Sequence, residues 1–259
     1  MGKNFSHKKS LGQHFLKSEE TAQRIVHALL AEAETQTILE IGPGLGILSK
    51  HLLQTGNEIF FSEIDERIIR FLKDDLHVNE KKILTGDFLR LDLKKYFQKQ
   101  FAVIGNFPFN ISSQIVFKIL EEKELIPLAV GMFQKEMAQR LAATHGNKDY
   151  GVITVLTQAF YEVEYLFELS PEEFDPAPKV YSAVVKLKRR KTKTDYDEKL
   201  FRQIVKTGFN QRRKKLSNAL AGILHAREVL LQLTFADKRA EQLSIEDFQM
   251  LTKSIEQLK

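Results

Sequence analysis

The run Phe101-Ala102-Val103-Ile104 has the make-up of a buried strand, yet it leads to an amide, Asn106, and then to a proline between two aromatic rings, Phe107-Pro108-Phe109. Three other apolar runs end in the same fashion. "TILEIG" enters a loop holding Gly42, Gly44 and Gly46, "NEIFFSE" ends on Glu63, and "KKILTG" is followed by Asp87. The glycine spacing G-x-G-x-G departs from the dinucleotide fingerprint G-x-G-x-x-G, whose third glycine lies beside a pyrophosphate-binding helix end. It still permits a tight turn and close backbone approach, as an ordinary strand-to-helix turn also would. A carboxylate at Glu63 can accept both hydroxyls of a ribose. Asp87 can hold an adenine amino group, although either acid could simply solvate a loop.

Taken in order, the four strand ends suit a ligand with an adenosine and no phosphate, which fits S-adenosylmethionine and its sulfonium methyl. The amino group of a nucleobase is a poor nucleophile, because its lone pair is delocalised into the ring. Two acceptors aimed at its hydrogens would localise that pair. The Asn106 side-chain oxygen and the Pro108 carbonyl can be those acceptors, with proline stiffening the turn, and Phe109 offers a flat face for stacking. An Asn/Pro turn with two buried rings is the plainer alternative.

These residues need elements to hold them. Strand-like runs alternate with helical ones: "TILEIG", "NEIFFSEID", "KKILTGDFL", "FAVIGN", "PLAVGMFQ", "YEVEYLFEL" and "VYSAVVKLKR" are read as strands. The last has Val180, Ala183, Val185 and Leu187 as core candidates. Helices are expected between them, one starting at Ser18 with Ile25, Val26, Leu29 and Leu30 on one face, and another over "GVITVLTQAF". The pattern predicts an α/β fold with a mainly parallel sheet covered on both faces, whose ligands sit at the carboxyl ends of the strands. After "RRKTKTDY" no strand pattern recurs. Helices are expected around Leu200, Phe201, Ile204 and Val205, over "RRKKLSNALAGIL", and over "SIEDFQMLTKSIEQL", opened by Ser244-x-x-Asp247 with Phe248, Leu251, Ile255 and Leu258 as its stripe. The expected division is therefore 1–190 for a catalytic domain with a basic arm at 1–17, and 191–259 for a small helical domain.

Composition sets bounds. There is no Cys, which excludes thiol catalysis and thiolate metal sites, and the seven His are scattered without ligand spacing, so no metal is expected. No apolar run approaches the roughly 20 residues of a membrane helix, and a cytoplasmic protein without membrane partners is expected. The formal net charge is +5, but 13 Lys/Arg against three acids lie between Lys186 and Lys215, so the rest of the chain is acidic. A polyanion partner for that region is one explanation, and a solvated linker with a basic helix face is the other.

With "SLGQHFL", "EIGPGLG", "SEID", "GDFL" and "GNFPFNIS", and further along "FQKEMAQRL", "KDYGVITVLTQ" and "FDPAPKVYSAVVKL", the chain resembles the ribosomal RNA adenine N6-dimethyltransferases. "FNQRRKKLSNAL" is similar to the KsgA (RsmA) group in particular, which favours it over the Erm resistance enzymes. The resemblance implies a Rossmann-like class I S-adenosylmethionine-dependent methyltransferase with a small all-helical C-terminal domain. It implies that His14 and Leu16 close over the cofactor, with Gly42 and Gly44 in the loop beneath it. Gly42 would lie against the methionine moiety, Glu63 on the ribose and Asp87 by the adenine. Asn106 would touch both cofactor and target amine, with Pro108 and Phe109 completing the catalytic turn. Lys8, Lys9, Arg212, Arg213, Lys214 and Lys215 become candidate RNA phosphate contacts. The implied substrate is two adjacent adenines near the 3′ end of small-subunit (16S) rRNA, each methylated twice, in an immature 30S-type subunit, with a monomer expected. An Erm-type enzyme acting on large-subunit rRNA and a non-catalytic RNA-binding assembly or transcription factor are the alternatives. The KsgA group usually has Asn-Leu-Pro-Tyr where this chain has Asn-Phe-Pro-Phe, which keeps the stacking face and loses a phenol hydroxyl.

Overall fold

A computed structural model of the chain describes residues 12–192, 194–224 and 234–258. In chain order the elements are β1 (Phe15–Leu16), α1 (Glu19–Leu30), β2 (Thr37–Ile41), α2 (Ile47–Leu52), β3 (Glu58–Glu63), α3 (Glu66–Asp74), β4 (Ile83–Thr85), β5 (Ala102–Asn106), α4 (Ser112–Glu121), β6 (Leu128–Gln134), α5 (Lys135–Ala142), α6 (Val152–Gln158), β7 (Tyr161–Leu169), β8 (Phe174–Asp175) and β9 (Ser182–Arg189). They are followed by α7 (Glu198–Asn210), α8 (Leu216–Ala219), α9 (Ala221–Leu224) and α10 (Ile245–Glu256).

Seven strands form one sheet in the order β4-β3-β2-β5-β6-β9-β7, and β1 pairs separately with β8. The first five strands of that order run parallel, with Ile38 opposite Ala102 and Asn106 opposite Met132, while β9 is antiparallel to β6. Chain order reverses between β2 and β5, which opens a crevice at their carboxyl ends. The central strands carry continuous apolar runs because both faces are covered: Ile38, Leu39, Val103, Ile104, Val130 and Met132 are all buried. The helices start where the sequence offers caps. Ser18 accepts the N–H of Thr21 at the start of α1, and Asp65 accepts that of Arg67 at the start of α3.

The chain divides into two compact units. One holds residues through Ala138 together with Glu162–Arg189, the other Gln139–Tyr161 together with the chain from Arg190 onward. The second unit is therefore larger than the C-terminal stretch expected from the composition change at "RRKTKTDY". The reason is packing around Tyr150, which is buried edge-on against Phe209 at 5.9 Å between ring centres. Within this unit Gln158 Nε2 also donates to the carbonyls of Leu141 and Ala143. "RRKKLSNALAGIL" is not the single helix expected. Residues 211–214 form a turn after α7, and the rest splits into the short α8 and α9. Leu216 and Ser217 instead donate their N–H groups to the carbonyls of Lys238 and Ala236. Val180 and Leu258 are exposed and lie outside their expected elements.

Candidate active site

The turn after β5 is built on two glycines and one buried ring. A Cβ on Gly105 would stand 2.5 Å from the Ile41 carbonyl, and one on Gly131 would overlap the Phe107 ring. Their absence lets Phe107 sink into the sheet edge, where it is 1% exposed and meets Phe133 edge-on at 5.2 Å. Phe107 is thus an anchor. Its neighbours Asn106, Pro108 and Phe109 are only half-buried and line a cavity of about 230 Å3. The Pro108 carbonyl accepts the Ile111 N–H at 3.1 Å, and the Phe109 carbonyl accepts the Ser112 hydroxyl at 3.2 Å. These bonds pin the turn to the start of α4.

The segment before α1 closes the other side. Phe15 pairs with Asp175 and Leu16 with Phe174 in the β1–β8 ribbon. The His14 ring stacks on Phe109 with centres 5.4 Å apart and planes at 28°. Its Nδ1 lies 2.7 Å from the Pro176 carbonyl, an acceptor only, so Nδ1 carries a proton. The His14 carbonyl accepts Asn106 Nδ2 at 2.7 Å. With that donor committed, the amide has its acceptor end left for a ligand. Leu16 is buried and belongs both to the cavity wall and to the core.

The glycine loop forms the floor. Gly42, Gly44 and Gly46 have φ of +66°, +54° and +76°, all in the left-handed region that glycine adopts without strain. A Cβ on Gly44 would meet the Phe15 ring at 2.9 Å, and one on Gly42 would come nearest to Pro108 Cδ, at 4.0 Å. The gap between loop and turn is thus one that side chains leave clear.

Three acids also line the cavity. Glu63 is 8% exposed, and its Oε1 accepts the N–H groups of Ile64 and Asp65 at 2.7 and 2.8 Å. Asp87 lies two residues beyond β4, where its Oδ1 accepts the Leu89 N–H at 3.0 Å and caps a short turn. Glu40 is not among the site residues expected from the sequence. It sits in β2, is 1% exposed, lines the cavity and accepts the Ser49 hydroxyl at 2.7 Å. Burial pushes its carboxyl up to about 8; the Ser49 hydrogen bond opposes this and the negative charge of Glu63 adds to it. The signal was present, since an acid inside the apolar strand "TILEI" needs a reason to be there.

His14, Leu16, Gly42, Gly44, Glu63, Asp87, Asn106, Pro108 and Phe109 all line this one cavity. The basic residues divide differently. Lys8 and Lys9 lie outside the described residues. Arg212 is held within its own unit, with Nε on Glu241 and a terminal nitrogen donating to the Lys148 carbonyl at 3.0 Å. Lys215 pairs with Asp237 at 2.7 Å on the surface, and Arg213 and Lys214 are exposed. Among the described residues no His/Asp/Glu cluster is fit to hold a metal ion, and no helix is long and apolar enough to cross a membrane.

The family model for ribosomal RNA adenine dimethylases matches residues 4–257. The chain belongs to that family. Among adenine dimethylase relatives, "Ribosomal RNA small subunit methyltransferase A" of Parabacteroides distasonis is 50% identical over 246 residues, covering 95% of this chain and 92% of that protein. The protein of the same name from Cytophaga hutchinsonii is 47% identical over 250 residues, covering 96% of each. Among solved structures, a dimethyladenosine transferase from Plasmodium falciparum superposes with a TM-score of 0.82 at 25% identity, over 95% of this chain and 98% of that one. The 23S rRNA methyltransferase ErmE superposes with a TM-score of 0.67 at 26% identity, over 92% and 99%.

Proposed function

We propose that the protein transfers methyl groups from S-adenosylmethionine to N6 of two adjacent adenines near the 3′ end of small-subunit (16S) rRNA, acting as a monomer on an immature subunit in the cytoplasm. The observation that carries this is the Asn106 amide at the cavity's edge, with Nδ2 bonded to the His14 carbonyl and Phe109 half-buried beside it. An amide so fixed is an acceptor waiting for an amino group.

The cavity fits the donor. The carboxylates of Glu63 and Asp87 line it, suited to the hydroxyls, amines and positive charge of S-adenosylmethionine, beside the protonated Glu40, and a glycine floor leaves clear the gap toward Pro108. When bound there, the donor supplies an electrophilic methyl. Glu63 would hold the ribose and Asp87 the adenine, with His14, Leu16, Gly42 and Gly44 enclosing the rest. Asn106 Oδ1 and the second lone pair of the Pro108 carbonyl, whose first is used by Ile111, would take the two hydrogens of the target amine. That localises the nitrogen lone pair and aims it at the methyl. Phe109 would hold the extruded adenine by stacking, which returns about 1–3 kcal/mol per base against an unstacking cost of a few kcal/mol. Rate then comes mainly from positioning. Lys8, Lys9, Arg213, Lys214 and Lys215 would grip RNA phosphates, which orient without reading sequence.

The small-subunit target is supported by the names of relatives that are 50% and 47% identical to this chain. Mass spectrometry of rRNA from cells with and without the protein tests it. Loss of dimethyladenines from the small subunit is expected; loss from the large subunit instead would mean an Erm-type enzyme. A strain that keeps all its dimethyladenines while immature subunits accumulate would mean an assembly factor without chemistry. In the purified protein, Asn106→Ala should abolish transfer while retaining part of the donor affinity.

A further inference from the structure

An exposed aromatic ring stands at the same end of the sheet as the cavity. Tyr181 is 51% exposed, immediately before β9. Its backbone is fixed, because its carbonyl accepts the Lys135 N–H at 2.9 Å and the next residue, Ser182, pairs with Gln134 at the carboxyl end of β6. That end of β6 adjoins the end of β5, where Asn106 pairs with Met132. Asn106, Met132 and Val184 lie in one line across the sheet, so Tyr181 is two strand spacings across from Asn106 and three residues further along, roughly 14 Å away. The short segment leading to it starts at Pro176, whose carbonyl holds the His14 ring that stacks on Phe109. One continuous strip of chain thus connects the cavity wall to this ring.

The surroundings carry positive charge. Lys135 Nζ lies 5.8 Å from the Tyr181 ring centre, held there by Glu168 at 2.8 Å. Lys179 and Val180 beside it are exposed. An exposed, backbone-anchored ring with two lysines against one acid is what a single-stranded nucleotide requires: a flat face for the base and cations for the phosphates.

We propose that Tyr181 is a stacking platform for the nucleotide adjacent to the target adenine, with Lys135 and Lys179 beside its phosphates. This rests on the proposed reaction, since it assumes that an adenine enters the cavity. It gives the neighbouring adenine a defined seat while the first is methylated.

The test uses small subunits purified from cells lacking the protein, with KM and kcat for the subunit measured alongside donor affinity. Tyr181→Ala should raise KM for the subunit roughly tenfold, the loss of one base stack, with donor affinity unchanged. Tyr181→Phe, which keeps the ring, should restore wild-type KM. Equal KM for Tyr181→Ala and wild type overturns the proposal, as does a Tyr181→Phe variant as weak as Tyr181→Ala. So does a Tyr181→Ala variant whose only change is in self-association. Unchanged donor affinity and melting temperature exclude misfolding as the cause. Binding of the same subunits without methyl donor reads the Tyr181 contact whether or not transfer occurs. Failure of the reaction and failure of the contact therefore give different results.

Discussion

Glu40 holds a proton at neutral pH because its folded value is pushed up to about 8 while the unfolded chain titrates near 4.5. Between those values the unfolded state gives up a proton that the native state keeps. The contribution of the protonated, buried group is thus full below about 4.5 and lost as pH rises through about 8. Glu40→Gln is isosteric, stays neutral and can still accept from Ser49. Thermal denaturation of both proteins across this range should therefore give a wild-type stability that falls more steeply, by up to about 1.4 kcal/mol per pH unit. Parallel curves would mean that Glu40 is ionised in the native state. Phe109 gives a second expectation at this scale. Phe109→Ala should lower kcat/KM for rRNA roughly tenfold or more by removing one stacking face, while Phe109→Tyr stays near wild type. Equal rates for Ala and Tyr would remove stacking from the mechanism. The sequence marked Phe109 through its motif, but it gave no sign that His14 stacks on it, because that pair is 95 residues apart and depends on how β1 finds β8.

Elements were legible where local and tertiary demands agree. β2, β3, β5 and β6 are apolar runs closed by a glycine, an acid or an amide, and they occur where the runs predict. α10 begins at the expected capping box: Ser244 Oγ accepts the Asp247 N–H at 3.1 Å, and Asp247 accepts the Ser244 N–H at 3.0 Å. Ser244→Ala should cost about 1 kcal/mol, read as a lower urea midpoint with unchanged m-value. Elements whose boundaries are set by distant partners were not legible. β1 and β8 have two residues each and exist only as a pair. The "RRKKLSNALAGIL" stretch has helical composition, but Lys238 and Ala236 draw its backbone donors out of register. The support beneath the Asn106–Phe109 turn was hidden in the same manner, since Gly131 lies 24 residues beyond Phe107 and on another strand. Gly131→Ala should force Phe107 off its seat, with overpacking worth about 1–3 kcal/mol. It should reduce transfer more than donor binding, because the glycine floor is untouched.

Charge is a property of the whole molecule, and its unevenness in the sequence overstates what is free to meet RNA. Of the basic run between Lys186 and Lys215, Lys186 is paired with Glu32 and Glu164, Lys188 with Glu32 and Arg189 with Glu124. Arg212 is similarly committed to Glu241. Such pairs cross long stretches of chain, so residue counts cannot reveal them. Arg213 and Lys214, exposed in the turn after α7, are two of the cations of this run that remain available to phosphate, with Lys199 and Lys206 also exposed. Each phosphate contact on a single strand contributes roughly 0.7 to the slope of log affinity against log salt. Replacing Arg213 and Lys214 with Ser should therefore weaken rRNA binding at low salt and flatten that slope by about 1.4. Arg212→Ala should leave the slope nearly unchanged and lower the melting temperature instead, because Glu241 loses its partner within the same unit. Filter binding over a salt series, run beside thermal denaturation, separates the two. If Arg212→Ala flattened the slope as much as the double variant, its pairing with Glu241 would have to open on the RNA, and the division into paired and free cations would fail.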